Sequence, residues 1–337
     1  MKEILIFTDN LPMTSNNKTL PIGSRVDQYR ILKVLGVGGF SVVYLAAELE
    51  SDCSVVIKEY MPKRLATREE NGNVAPKGEG DTSLFHQGRS LFLHEARTLA
   101  NIKHKNIVDV SNFFSANDTV YMVMSYVEGV NLQAYIRDHK GGLSEKFIRT
   151  IFSRLLEGLK HIHSMGILHL DIKPGNIHIR PGGVPILLDF GAVHQQRLSR
   201  QNKPSQVISP GYSPYEQCQP GGYMGPWSDL YAIGTTMRAC IEGAAPISAN
   251  DRMLQDRLKP MSSYGRKGYS KSLLAAIDWA MEPDPLLRPQ SVDEFLSAMN
   301  EGYEEAGNGE ASQDAFMDWV SSNLLKIRTV LDNFKKD

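Results

Sequence analysis

Two aspartates and an asparagine near the middle of the chain are close enough in sequence to share one ion. Asp171 and Asn176 lie in His169-Leu170-Asp171-Ile172-Lys173-Pro174-Gly175-Asn176, and Asp189 opens Asp189-Phe190-Gly191. A Pro-Gly turn and a short apolar hairpin, residues 177–179 and 184–188, separate them. Oxygen donors of this kind suit Mg²⁺, which keeps several waters and takes one or two carboxylates together with substrate phosphates. Upstream, Gly36-Val37-Gly38-Gly39-Phe40-Ser41-Val42-Val43-Tyr44 offers backbone without side chains, which can lie close over phosphates and present N–H donors. A valine-rich strand rather than a helix follows these glycines, which argues against a dinucleotide-binding fingerprint. Lys58 closes the apolar run Val55-Val56-Ile57-Lys58. An ammonium that points inward from such a strand needs a partner, and Glu95 is the candidate; a lysine snorkelling to the surface is the alternative.

The elements that must position these groups follow from pattern. Residues 29–59 alternate short apolar runs with turn formers and predict three antiparallel strands. Residues 60–86 read as polar and loop-like, and a helix beginning near Gly88 carries Phe92, Ala96, Leu99 and Ile102 on one face. A strand pair is expected within 108–126. Phe147, Ile148, Ile151, Phe152, Leu155, Leu156, Leu159 and Ile162 recur at helical spacing, with Ser144 as N-cap and Gly166 as the stop. Helices dominate thereafter, one opened by the capping box Ser291-Val292-Asp293-Glu294. Beyond a Gly- and Glu-rich stretch at 302–312, apolar residues at steps of three and four from Phe316 to Phe334 predict an amphipathic helix that must dock.

Composition narrows the classes. Among 337 residues, 37 Lys and Arg face 38 Asp and Glu for a net charge of −1, which removes the electrostatic case for a nucleic-acid binder. Charges interrupt every long apolar run before the ~18–20 residues that a membrane span needs. Three cysteines, Cys53, Cys218 and Cys240, lie far apart without metal-ligand spacing, so a cytoplasmic chain with free thiols is expected.

With these motifs in place, the chain resembles the eukaryotic-type (Hanks-type) serine/threonine protein kinases, bacterial ones in particular, over roughly four-fifths of its length. Five positions separate Asp171 from Asn176 and eighteen separate Asp171 from Asp189, as in that family. The resemblance implies an α+β, bilobal protein-kinase-like fold, with a small antiparallel β-sheet lobe bearing one key helix and a larger, mainly helical lobe. The lobes would span 29–127, with an insertion at 61–87, and 128–303; an N-terminal extension (1–28) and a linker with the amphipathic helix (304–337) flank them. It also implies ATP and Mg²⁺ as cofactors, with Mn²⁺ as an alternative ion, and protein Ser/Thr hydroxyls as acceptors. On this resemblance Lys58 holds the α/β-phosphates and pairs with Glu95, Asp171 orients the acceptor hydroxyl and takes its proton, and Lys173 neutralises the transferring phosphoryl group. Asn176 and Asp189 hold the metal. Gly36, Gly38, Gly39 and Ser41 cradle phosphates, Val43, Val56 and His178 flank adenine, Met124 is the gatekeeper, and Ser125, Tyr126 and Val127 read adenine by their backbone. Asp229 would brace the catalytic loop and Arg288 would pair with Glu216. The alternatives are a nucleotide-binding signalling scaffold and a small-molecule kinase of related fold. Intact core groups argue against the first, and Lys173, Glu216 and Arg288 against the second.

Three departures stand out. Ser41 replaces a third glycine, keeping a backbone donor and adding a hydroxyl. Leu170 replaces the arginine that would bind an activation-loop phosphate, so activity without loop phosphorylation, or switching by other elements, is expected, although Ser199, Ser205 and Ser209 remain as loop acceptors. Lys58 and Glu95 are 37 positions apart, longer than the family interval, and the insertion between them reads equally as a regulatory element or as an inert loop. The 313–334 helix is expected either to pack on the helical lobe or to serve partner binding or self-association.

Overall fold

The computed structural model describes residues 19–190, 208–264 and 267–302, which form two compact units. The first comprises residues 19–103 and 108–127; the second comprises 104–107 and the described residues from 128 onward. The expected C-terminal helix, residues 1–18, Gly191, Ser199 and Ser205 lie outside the described residues.

Unit 1 is built on a six-stranded antiparallel sheet of β1 (Arg25–Val26), β2 (Tyr29–Val37), β3 (Ser41–Glu48), β4 (Ser54–Tyr60), β7 (Val110–Ala116) and β8 (Thr119–Ser125), in the order β1-β2-β3-β4-β8-β7. The sheet curls: Tyr29 on β2 stacks on Phe114 of β7, four strands away in that order, with ring centroids 5.8 Å apart. The three strands expected within 29–59 and the pair within 108–126 are all present.

Two expectations for the segment after β4 need correction. Residues 60–86 are not merely a loop. They contain a two-stranded hairpin, β5 (Ala66–Arg68) with β6 (Val74–Pro76), turned at Asn71-Gly72. Gly72 takes φ 89° there, a conformation that only glycine adopts without strain, and Ala66, Arg68 and Val74 are buried. Such three-residue strands are too short to show an alternation in sequence. Helix α1 (Thr82–Ala100) also starts six residues before Gly88, because Phe85 joins Phe92 in packing against the ring of Tyr60. Gly88 is no helix breaker: a Cβ there would sit 2.0 Å from the Tyr60 hydroxyl, so glycine lets α1 approach β4 at a propensity cost of ~1 kcal/mol.

Unit 2 is mainly helical. Helix α2 (Leu132–His139) is capped by Asn131, whose Oδ1 accepts from Gln133 N at 2.8 Å. Helix α3 (Glu145–Ser164) starts at Ser144, whose hydroxyl accepts from Phe147 N at 3.2 Å, and ends at Gly166 with φ 70°. Strand β9 (Val130–Asn131) precedes α2, while β10 (Ile177–Arg180) and β11 (Val184–Leu187) follow the segment 169–176; the three form a small sheet in the order β11-β10-β9. A turn of helix, α4 (Tyr215–Cys218), leads to α5 (Pro226–Glu242), which is buried along almost its whole length, then to α6 (Ala249–Leu254), α7 (Met261–Tyr264) and α8 (Lys271–Ala280). The last described helix, α9 (Val292–Asn300), keeps half of its expected capping box: Ser291 Oγ accepts from Glu294 N, but Glu294 turns back to Gln290 N rather than to Ser291 N. No helix among the described residues is long and apolar enough to cross a membrane.

Candidate active site

In unit 2, the segment from His169 to Asn176 joins α3 to β10 and is fixed by one buried carboxylate. Asp229, on the first turn of α5 and fully buried, accepts from His169 N (2.9 Å) and His163 Nε2 (2.8 Å) on Oδ2, and from Leu170 N (2.8 Å) on Oδ1. Burial alone would raise this carboxyl, but the hydrogen bond from His163, the nearby His163 and His169 rings and the His169 N–H hold it below its ordinary range. Asp229 therefore stays ionised and can hold Leu170 at φ 60°, a left-handed conformation that costs a non-glycine residue ~1–2 kcal/mol. Gln217 Nε2 secures the same residue from the other side by donating to Leu170 O at 2.7 Å. The Leu170 side chain is buried.

His169 is buried and works as a neutral spacer. Its Nδ1 accepts from Asp171 N at 3.2 Å, so Nε2 carries the proton and donates to Leu188 O at 3.0 Å; burial lowers its pKa. The ring packs on Phe190, centroids 4.4 Å apart, and so links the loop to the residue after Asp189. Asp189 itself is half-buried with φ 56°.

These restraints deliver Asp171, 7 % exposed, into a dense polar group. Lys173 Nζ lies 2.9 Å from both carboxylate oxygens, and Asn176 Nδ2 donates to Asp171 Oδ2 (2.9 Å) and to its backbone O (2.8 Å). The Ser209 hydroxyl donates to Oδ1 at 2.8 Å and accepts from Lys173 Nζ at 3.0 Å, while Ser213 Oγ accepts from Ser209 N. A hydroxyl hydrogen-bonded to a carboxylate beside an ammonium is the arrangement that general-base attack by an alcohol requires. Asn176 commits the nitrogen side of its amide to Asp171, and the oxygen side is a carbonyl-type acceptor. That oxygen and the Asp189 carboxylate are hard donors of the type Mg²⁺ takes alongside waters and phosphates. Among the described residues no cluster of three or more His, Cys, Asp or Glu could hold a metal by itself.

The frame around this group is also buried. Arg288 donates to Glu216 Oε1 at 2.7 Å and Oε2 at 3.1 Å, as expected, with its guanidinium 4.6 Å from the Tyr231 ring centre; Ser228 adds a hydrogen bond to Glu216. His178 is buried on β10 opposite Ile186, and burial lowers its pKa to about 4, so it stays neutral.

In unit 1, the β2–β3 turn exposes Gly38 and Gly39, with Gly36 paired to Val43 and Gly38 N bonded to Ser41 O at 2.8 Å. Register places Val43 beside Lys58, and Val56 beside Leu45 and Met124, on one face of the sheet. Val43, Val56 and Tyr126 remain half-buried against Leu32, Leu35, Leu45 and Ala47, and Lys58 is buried. Ser125 N donates to Asp109 O at 2.9 Å, and Val127 ends the unit. Glu95 lies on the buried face of α1.

Sequence reasoning missed three contributors. Nothing local marks His163 or Gln217, which act across 66 and 47 positions on Asp229 and Leu170. Ser209 stood out only as a loop acceptor, whereas its hydroxyl is a partner of Asp171 from 38 positions away.

Known proteins resemble this chain in sequence and fold. The family model "Protein kinase domain" matches residues 29–299. Serine/threonine-protein kinase PknA of Nostoc sp. is 30 % identical over 82 % of this chain and 47 % of its own length. Serine/threonine-protein kinase D of Synechocystis sp. is 31 % identical over 82 % of this chain and 52 % of its own. The chain thus spans about half the length of these curated relatives. The solved structure titled "PpkA-294 apo form" superposes with a TM-score of 0.74 at 33 % identity, covering 84 % of this chain and 99 % of that one.

Proposed function

Since this chain belongs to the protein kinase family, we propose that it is an ATP- and Mg²⁺-dependent serine/threonine protein kinase that moves the γ-phosphoryl group to protein Ser/Thr hydroxyls, its own included. The observation that carries the reading is the Asp171 carboxylate, which accepts from a serine hydroxyl beside the Lys173 ammonium. Asp171 orients the acceptor hydroxyl and takes its proton as the new P–O bond forms and the bond to ADP breaks. Lys173 offsets charge on the phosphoryl oxygens. Lys58, paired with Glu95, holds the α/β-phosphates, and the backbone of Gly36, Gly38, Gly39 and Ser41 lies over them. Val43, Val56, Met124, His178 and the backbone of Ser125 to Val127 hold adenine. Asn176 and Asp189 would hold Mg²⁺, which supplies charge neutralisation on the phosphates when bound.

Leu170 supports activity without activation-loop phosphorylation. An apolar, buried side chain occupies the place of a phosphate-binding arginine, and its backbone is already held by Asp229 and Gln217. Alanine at both Ser199 and Ser205 is expected to leave turnover within about twofold of wild type.

The test is one incubation of purified protein with Mg²⁺ and γ-labelled ATP, with Asp171→Asn alongside and phosphosites mapped by mass spectrometry. Label on Ser/Thr of the wild type and none on the variant is expected. Nucleotide binding without transfer would shift the assignment to a scaffold, and label on small molecules alone to a small-molecule kinase.

A further inference from the structure

The long interval between Lys58 and Glu95 is engaged by unit 1 at three places. At its start, pairing continues past the end of β4: Met61 N donates to Phe40 O and Lys63 N to Gly39 O, both at 2.9 Å, and Lys63 Nζ reaches Val37 O at 3.2 Å. The tip of the glycine-rich turn is thereby bonded, backbone to backbone, to the first residues of the insertion.

In its middle, the β5–β6 hairpin turns Arg68 into a buried ion pair with Glu59, the residue next to Lys58 on β4; Arg68 Nη2 donates to Glu59 Oε2, and the two residues are 6 % and 0 % exposed. Arg68 Nη1 also donates to Gly72 O at 2.8 Å, which fixes the guanidinium within its own hairpin. Glu59 Oε2 further accepts from the Tyr44 hydroxyl (2.8 Å) and Oε1 from the Tyr121 hydroxyl (2.6 Å), while Leu20 N donates to the Tyr44 oxygen. Burial and the Glu59 carboxylate push both phenols well above their ordinary range, so both remain donors. Strand alternation puts Glu59 on the face opposite Lys58. Hairpin and α1 thus grip β4 from opposite faces, the hairpin through Glu59 and α1 through Tyr60.

At its exit, Lys77 N donates to Leu65 O (2.9 Å), Lys77 Nζ to Lys63 O (2.7 Å) and Val74 N to Asn117 O in the β7–β8 turn (2.9 Å). Only a short 3₁₀ turn, Glu79–Asp81, separates this fixed exit from the start of α1.

We propose that residues 61–81 are a built-in clamp that sets the position of the glycine-rich turn and of α1, with Arg68 as its positioning residue, acting through Glu59. The proposal rests on the kinase reading above and says how the phosphate-holding groups are kept in register. A buried ion pair is weak evidence for stability, since apolar residues of similar volume often hold a fold as well or better. What it adds here is a fixed geometry, because one guanidinium must meet a carboxylate on β4 and a carbonyl in its own turn at once.

The test uses the full chain as Arg68→Met, Arg68→Lys and the double variant Glu59→Gln/Arg68→Met, each shown to be folded at the assay temperature. Two readouts are taken: amide hydrogen exchange at Met61 and Lys63, which needs no activity, and the ATP dependence of phosphotransfer. Arg68→Met is expected to exchange these two amides about tenfold faster while amides within the β3–β4 ladder are unchanged, and to raise KM for ATP about tenfold, with Arg68→Lys recovering part of both. The double variant is expected to regain melting temperature without regaining KM or protection. Unchanged KM and unchanged exchange in folded Arg68→Met, or recovery of both together with stability in the double variant, would overturn the clamp. Should Arg68→Met not fold, Arg68→Lys carries the same comparison at smaller amplitude. Failure of the kinase reading is visible separately, as a wild type without transfer or an Asp171→Asn variant that retains it, and exchange at Met61 and Lys63 then decides the clamp alone.

Discussion

The loop around Asp171 and the turn around Gly38 are held in opposite ways. Asp171 is buried, and every bond that fixes its carboxylate comes from a side chain: Lys173, Asn176 and Ser209. Gly38 and Gly39 are exposed, and the bonds that hold their turn all engage its backbone: Gly38 N to Ser41 O within β3, and from the insertion Met61 N to Phe40 O, Lys63 N to Gly39 O and Lys63 Nζ to Val37 O. A group that must accept a proton gains from fixed, desolvated partners, because reorganising them during reaction would add to the barrier. A turn proposed to lie over phosphates gains from bare, exposed backbone whose position is set by partners outside it.

The most severe way to break this comparison is to remove the charge from the rigid centre. Asp171→Asn keeps the shape of the loop and is expected to lower phosphotransfer about a thousandfold with little change in melting temperature, checked by labelled-ATP assay and thermal melts. The frame is next. Glu216→Ala leaves the Arg288 guanidinium buried without its carboxylate, and urea titration is expected to show a loss of about 3–5 kcal/mol; a loss below about 1 kcal/mol would mean that unit 2 does not depend on this pair.

A third test concerns burial itself. His178 has its folded-state pKa lowered, so its neutral form is favoured by the fold; the associated stability is complete above the unfolded value near 6.5 and is lost as pH falls from there through about 4. His178→Leu should therefore flatten the acid limb of stability between these values, by on the order of 3 kcal/mol at its low end, while leaving melting near neutral pH little changed. A variant whose acid limb keeps the wild-type slope would contradict this. The smallest effect belongs to Ser209→Ala, which removes the hydrogen bond to Asp171 that an incoming hydroxyl would replace, and is expected to change kcat by less than about threefold at nearly constant KM for ATP. Ser209→Thr, which retains the hydroxyl, should stay near wild type.

What was legible in sequence was what lies close together in it. The glycine-rich turn, the lysine-ending strand and the Asp171…Asn176…Asp189 spacing are short contiguous patterns, and the strands and helices that carry them have clear periods of two and 3.6. The pair of Glu216 and Arg288, 72 positions apart, was reachable only through the family resemblance. Contacts without a local pattern stayed hidden. His163 and Gln217 look like ordinary polar residues until the fold brings them to Asp229 and Leu170. Arg68 sits in a polar stretch and reads as a solvated cation, yet it is buried because Glu59, nine positions earlier, is turned to the same face by the strand pleat. The early start of α1 was masked because Gly88 carries a low helix propensity, and only the packing of Tyr60 shows why glycine is needed there.

The hydroxyl of Ser209 has one more consequence. A carboxylate offers about four lone-pair positions. Those of Asp171 accept four bonds from the chain itself: Oδ1 from Lys173 and Ser209, Oδ2 from Lys173 and Asn176. The proposed base is thus saturated at rest, and a water molecule that drifts in finds no acceptor to activate it. An acceptor protein must displace one internal partner, which a hydroxyl held by a docked chain can do and a transient water cannot. Thrift with nucleotide would then reside in a single serine: with Ser209→Ala, the ratio of futile ATP hydrolysis to productive transfer should rise.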